Sequence, residues 1–179
     1  MFAMRPACPD DVPAVAAVLT ARSEWMEQQG LPSWREAVDD LAGQAAVDGT
    51  LMWVLTAGER VIGCTTLADD RPTWGWTPEQ AAQDAFYLFT TCTHPEWRHA
   101  KPGSLIAWWA VDKAAREGKA FVRRGTVEAS LKRYYATQGF QLVHEVQRKN
   151  NLVYLMARRA QRLPEVERMF AAGSAALVS

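Results

Sequence analysis

The sequence predicts an α+β domain with a mostly antiparallel front and a parallel crossover in its middle. Three observations predict it. Two β-rich runs, Leu51–Ala57 and Arg60–Leu67, are separated only by Gly58 and Glu59, the spacing of a hairpin. The stretch Phe86–Gly118 reads as a short buried strand, a turn and a helix with apolar residues at helical spacing, and another strand-like run, Ala120–Thr126, follows it. Phe140–Val146 and Leu152–Arg158, joined by the polar residues Gln147–Asn151, read as a closing hairpin.

The remaining elements follow in order. Phe2–Ala7 is a first strand, and Pro9, Asp10 and Asp11 supply an N-cap and negative charge for a helix from Val12. Val12, Val15, Ala16, Val18, Leu19 and Trp25 give that helix a buried face, and Gln28-Gln29-Gly30 ends it. A second helix is expected after Ser33, with Glu36 in the capping-box position and a stop by Asp48 and Gly49. The long connection Ala68–Asp84 holds Trp74, Gly75 and Trp76 and a helix start at Thr77-Pro78-Glu79; so long a loop inside a compact domain is more often functional than idle. Ala129–Gln138 is a short helix stopped by Gly139, and Leu163–Phe170 an amphipathic helix before a frayed end. Residues 1–160 are expected to form one domain and 161–179 a C-terminal helical extension or tail.

Composition narrows the functional class. Lysine plus arginine and aspartate plus glutamate balance at 20 each, which argues against nucleic acid as a partner. No apolar run approaches membrane-spanning length and the first residues are no signal peptide, so neither a membrane partner nor export is expected. Cys8, Cys64 and Cys92 lack metal-ligand spacing, which fits a reducing cytoplasm and no metal. Eight tryptophans are many for 179 residues; core packing is their default role, with a cleft or partner surface open to those in loops.

The turn within Phe86–Gly118 carries the chemistry. Pro102 suits a first helical position, Gly103 and Ser104 offer open backbone, and Arg98, His99 and Lys101 add positive charge. Strand, basic loop and helix start together make a cradle for a pyrophosphate, because the first helical turn presents unpaired N–H groups at the positive end of the dipole. Any α/β protein contains a strand, a turn and a helix, so the cradle needs further support.

That support is a resemblance to the GNAT superfamily of N-acetyltransferases over residues 1–160, carried by three local features. Thr93-His94-Pro95-Glu96-Trp97-Arg98 is similar to the family's strand end followed by Pro-x-x-Arg. Arg98-His99-Ala100-Lys101-Pro102-Gly103 resembles the phosphate loop, Gln or Arg, two residues, Gly, one residue, Gly or Ala, with Lys101 standing where the first glycine belongs. Tyr135, Gly139 and Phe140 match the family's Tyr-x-x-x-Gly-Phe, with Tyr135 at the position of the usual general acid. Glu128 stands where many members carry asparagine.

The resemblance implies a mixed central sheet of about seven strands flanked by helices, opened in a V between two central parallel strands. It implies acetyl-CoA as acyl donor without a metal, pantetheine against the backbone of Thr91, Cys92 and Thr93, and the diphosphate at Arg98, His99, Ala100, Lys101, Gly103 and Ser104. Tyr135 would give a proton to the departing thiolate. Its other reading is a packing aromatic against Phe140. No general base stands out: Thr90 and Thr91 offer hydroxyls, Asp84 and Glu128 are carboxylates, and His94 and His99 beside the loop suit cation or capping roles. His144, in a strand, is read as a satisfied side chain.

The acceptor, a primary amine of a small molecule or peptide, is expected near the first two helices and the Ala68–Asp84 loop. Trp25, Trp34, Trp74 and Trp76 would wall it, and Glu24 and Glu27 either hold a cationic amine or form a solvated helix face. A homodimer is left open. The alternative function is a non-catalytic descendant that binds acyl-CoA for sensing or assembly. An unrelated nucleotide-binding domain ranks last, because no P-loop or dinucleotide fingerprint is present.

Overall fold

A computed structural model describes residues 1–47, 49, 52–69, 72 and 74–171. Its strands are β1 (Phe2–Pro6), β2 (Met52–Ala57), β3 (Arg60–Ala68), β4 (Ala85–Thr93), β5 (Phe121–Thr126), β6 (Gln141–Arg148) and β7 (Asn151–Arg159). They form a 7-stranded sheet in the order β1-β2-β3-β4-β5-β7-β6. The β4–β5 pair is parallel, while β1–β2, β2–β3, β5–β7 and β6–β7 are antiparallel. The helices are α1 (Val12–Gln28), α2 (Val38–Gly43), α3 (Pro78–Ala82), α4 (Pro102–Arg116), α5 (Ala129–Thr137) and α6 (Pro164–Ala171). The mixed sheet with flanking helices and a central parallel pair is the architecture expected.

Local chemistry accounts for most of these boundaries. Ala57 pairs with Arg60, so β2 and β3 are joined by a two-residue turn, and Gly58 takes the positive φ of 59° that such a turn favours. Helix α3 begins at Thr77, whose hydroxyl accepts the Gln80 N–H while the Gln80 side chain accepts the Thr77 N–H, a full capping box. Helix α4 ends where expected: Gly118 lies at φ 74°, and Lys119 N–H donates to the Ala114 carbonyl at 2.9 Å.

Two expectations at the start of the chain change. Asp11 does not cap α1; its carboxylate turns back to the Cys8 N–H at 2.9 Å and the Arg5 guanidinium at 2.6 and 2.7 Å. The second helix is also broken, into a 3-10 turn at Arg35–Ala37, the short α2 and a second 3-10 turn at Gln44–Ala46. The Ser33 hydroxyl donates to Glu27 at 2.7 Å and accepts the Arg35 N–H only at 3.4 Å, and the Arg35 guanidinium grips the same carboxylate at 2.7 and 2.8 Å. These bonds tie residues 33–35 to the end of α1, so α-helical geometry starts only at Val38. Three expectations, the stop at Asp48, the strand start at Leu51 and the frayed end at 172–179, lie outside the described residues.

The chain divides into two compact units. The first comprises Met1–Leu67, Thr90–Ile106 and the chain from Pro164 onward. Val15, Val18 and Leu19 of α1 fill its core with Met52 and Val54 of β2, Cys64 of β3 and Cys92 of β4. Helix α6 belongs to this unit and lies against β1, with Val166 2% exposed, so this part of the expected extension is built into a core. The second unit comprises Ala68–Phe89 and Ala107–Leu163, with a core of Trp76, Ala85, Tyr87 and Leu155 packed by Phe121, Val143, Val146 and Val153.

Candidate functional site

In the first unit β4 runs into the basic loop. His94 begins a 3-10 turn at Pro95–Ala100 as its N-cap, its Nδ1 accepting the Glu96 N–H at 3.4 Å. Lys101 then adopts φ 50°, ψ 53°, the left-handed region, and redirects the chain into α4 at Pro102. This is the backbone geometry that makes glycine the natural residue at the position. Arg98 and Lys101 have exposed side chains with no ion pair among the described residues. His99 is anchored, its Nδ1 lying 3.1 Å from the Glu96 carbonyl and its ring stacked on Trp97.

The N–H groups of this turn are less open than the sequence implies. Lys101 N–H donates to the Arg98 carbonyl at 3.1 Å, and Ser104 and Leu105 both donate to the Lys101 carbonyl, at 2.9 and 3.2 Å. Pro102 has no N–H. Of positions 102–105, Gly103 alone keeps a donor without a protein acceptor among the described residues. The Lys101 carbonyl, just ahead of α4, accepts the first bonds of the helix, and Ser104 supplies one of them.

The last residues of β4 are also unusual. Thr90 has φ 47°, costly for a β-branched side chain and therefore a point of stored strain. Thr91 bonds hydroxyl to hydroxyl with Thr65 at 2.8 Å. At Gly63 of β3 an added Cβ would lie 3.1 Å from the Cys92 carbonyl, so the backbones approach too closely there for a side chain. Burial pushes the Cys64 thiol up to about 12 and raises that of Cys92 as well. Neither is a thiolate nucleophile at neutral pH.

In the second unit the β4–β5 ladder is short. It pairs Ala85 with Phe121, Phe86 with Val122 and Tyr87 with Arg123, and it ends there although β4 runs on to Thr93 and β5 to Thr126. Just past this end stands Arg124, 4% exposed, whose guanidinium carbon lies 3.5 Å from the centroid of the Tyr135 ring on α5. Its Nη1 donates to Gln138 Oε1 at 3.1 Å. Burial lowers the pKa of this guanidinium, opposed by the nearby Tyr135 and Tyr134 hydroxyls. Phe140 is buried, its ring centroid 5.4 Å from the same guanidinium.

On the opposite face of β5, Arg123 is 1% exposed and stacks 4.3 Å over Trp76. It donates to the Gln80 carbonyl at 2.8 Å and to Gln83 Oε1 at 2.6 Å. Sequence reasoning missed both arginines. Their signal is the interruption of an otherwise strand-like run, Ala120–Thr126, by two adjacent charges.

The other candidates have surroundings of their own within each unit. Trp25 lies under the Arg22 guanidinium at 4.4 Å, and Trp34 packs on the core of the first unit. Trp74 is 37% exposed beneath Arg148, whereas Trp76 is 8% exposed among Arg123, Tyr87 and His144. Glu27 is engaged by Arg35 and Ser33, which hold its carboxyl down at about 2. His144 lies 2.7 Å from Gln80 Oε1, the satisfied partner expected of it. Asp84 and Glu128 are both exposed, the first just before β4 and the second at the start of α5.

No family model and no curated protein matches the sequence. Solved structures do match the fold. A GNAT-family acetyltransferase from Listeria monocytogenes is 17% identical over 88% of this chain and 94% of its own, with a TM-score of 0.66. The ribosomal-protein-S18-alanine N-acetyltransferase from Escherichia coli is 14% identical over 91% and 96%, with a TM-score of 0.63. The PaiA N-acetyltransferase from Thermoplasma acidophilum, solved with coenzyme A, is 17% identical over 89% and 99%, with a TM-score of 0.62. Identities this low carry architecture rather than chemistry. Strand order, the parallel central pair and these matches together establish that the chain has the fold of the GNAT superfamily of N-acetyltransferases.

Proposed function

We propose that this chain is an acetyl-CoA-dependent N-acetyltransferase acting on a primary amine of a small molecule or peptide. The observation that carries the reading is the β4–β5 ladder that stops at Tyr87 and Arg123, followed by a helix that presents Tyr135. The basic loop fits a diphosphate through Arg98 and Lys101, two cations without an ion pair among the described residues, and the Gly103 N–H, a smaller set of donors than a glycine-rich loop supplies.

Acetyl-CoA supplies a thioester already activated toward amines. As the amine nitrogen bonds to the acyl carbon and the C–S bond breaks, Tyr135 gives its phenolic proton to the leaving sulfur, so O–H breaks and S–H forms. The phenolate then recovers a proton, through solvent, from the ammonium nitrogen that the attack creates. The backbone of Thr91, Cys92 and Thr93 is assigned to the pantetheine arm on the resemblance, and Trp25, Trp34, Trp74 and Trp76 are the aromatic side chains proposed for the acceptor side. Asp84 and Glu128, exposed carboxylates, remain the candidate bases.

The test is a panel of primary amines incubated with acetyl-CoA, read by free thiol. Thiol release that depends on both amine and protein supports the reading. A second reading, a non-catalytic domain that binds acyl-CoA without turnover, is favoured by the altered phosphate loop, in which Lys101 stands where a glycine is expected. Calorimetric heat with acetyl-CoA but no thiol release from any amine would choose it.

A further inference from the structure

We propose that Arg124 is the positioning residue for Tyr135, holding the phenol ring in place and supporting the charge that reaches it when its proton leaves. The inference rests on the reading of Tyr135 as proton donor. Arg124 is almost wholly buried, yet no carboxylate among the described residues contacts it, and its Nε has no hydrogen-bond partner. A buried guanidinium without an acid is costly. What it has instead is the Tyr135 ring face at 3.5 Å, the Phe140 ring at 5.4 Å and one amide oxygen, that of Gln138, the residue that caps the C-terminus of α5.

That arrangement anchors the guanidinium over one face of the ring. The Arg124 Nη1 bond to Gln138 ties the guanidinium to the helix that carries Tyr135, and Arg158 holds the Gln138 carbonyl at 2.6 Å from its own strand, β7. A cation over an aromatic face is attracted by the electron density of the ring. That density increases as a phenol becomes a phenolate, so the contact strengthens along the proton transfer and favours its transition state over its ground state. The charged and titratable groups facing the pair are Tyr134 on α5 and Arg158 on β7, and neither is an acid that would neutralise Arg124. Tyr135 is the group in ring contact with Arg124 whose chemistry generates an anion.

The test has two arms. In thiol-release kinetics, Arg124→Met should lower kcat about tenfold while leaving the acetyl-CoA KM within about twofold, and Arg124→Lys should recover part of the loss. In a Tyr135→Phe background, Arg124→Met should cost little more. An equal loss in both backgrounds would show Arg124 acting independently of Tyr135 and overturn the proposal. The other arm needs no turnover: with ring-labelled tyrosine in the free protein, the Tyr135 signal is identified by its loss in Tyr135→Phe. Arg124→Met should shift and broaden that signal with the melting temperature still cooperative, and Arg124→Lys should do so less. A signal unmoved by either substitution overturns the positioning role, whereas a wild-type protein with no thiol release for any amine overturns the transferase reading alone.

Discussion

The guanidinium of Arg123 lies flat against Trp76, 4.3 Å from the ring, and this contact fastens the long connection between β3 and β4 to strand β5. From that position Arg123 reaches the Gln80 carbonyl and the Gln83 side chain, while Trp76 meets Tyr87 and His144 edge-on. Nearby, Gly75 at φ 80° passes so close to Leu155 that a Cβ would come within 2.6 Å of it. Removing Trp76 should therefore leave a cavity beside a buried cation. Trp76→Ala is expected to cost about 3–5 kcal/mol in denaturant unfolding, and Arg123→Lys about 1–2 kcal/mol through loss of the planar stack and the second hydrogen bond. Urea midpoints unchanged in both variants would contradict this account.

Lys101 occupies left-handed backbone that a glycine adopts without penalty. Lys101→Gly should raise stability by about 0.5–1 kcal/mol, the relieved Cβ strain outweighing the added freedom of the unfolded chain. The same change removes an exposed cation from the loop, and acetyl-CoA affinity measured by calorimetry should fall about threefold. Tighter binding would show that the lysine obstructs the diphosphate.

Tyr135→Phe keeps the ring and removes the proton. Turnover should fall about a hundredfold, with calorimetric affinity for acetyl-CoA within about twofold, because Phe can still occupy the space beneath Arg124. Full turnover in this variant would return Tyr135 to its packing role against Phe140.

Asp11 links acid pH to folding. Its bonds to Arg5, set against burial and aided by the Cys8 N–H, lower its carboxyl from 3.8 to about 2. A carboxyl lowered in the folded state adds stability that is complete above the unfolded value, near pH 4, and is lost as pH falls through about 2. Arg5 is 44% exposed, so screening keeps the effect modest. Asp11→Asn should cost about 1–2 kcal/mol at neutral pH, and its difference from the parent should shrink as the pH is lowered from 4 toward 2. A constant difference across that range would separate Asp11 from the acid transition.

Asp112, 1% exposed on α4, is held by the Leu163 N–H at 2.8 Å, Arg162 at 3.1 Å and Arg116 at 2.9 Å. Burial raises its carboxyl, but the three donors outweigh it and the net shift is downward. Asp112→Ala leaves the buried Leu163 N–H without its acceptor and removes the carboxylate that two half-exposed guanidinium groups share. A loss of about 3 kcal/mol is expected in equilibrium unfolding, and a loss within measurement error would show that water replaces the carboxylate.

The sequence by itself determined the elements and their order, because those depend on neighbours within a few residues. Gly58 between two β-rich runs, Thr77 ahead of Pro78, and Gly118 and Gly139 after helical spacing each act locally, and each boundary appears where it was read. The motif around Lys101, Gly103 and Tyr135 was legible for the same reason. Tertiary structure decided what depended on residues far apart in the chain. Ser33 and Arg35 were claimed by Glu27, on the helix before them, and broke the second helix. Arg123 and Arg124 became interior cations only because aromatic rings from other segments, Trp76 and Tyr135, stood ready on the two faces of β5. A charge inside a strand looks like an error until the chain folds, since the ring that makes its burial tolerable is supplied by a different part of the sequence.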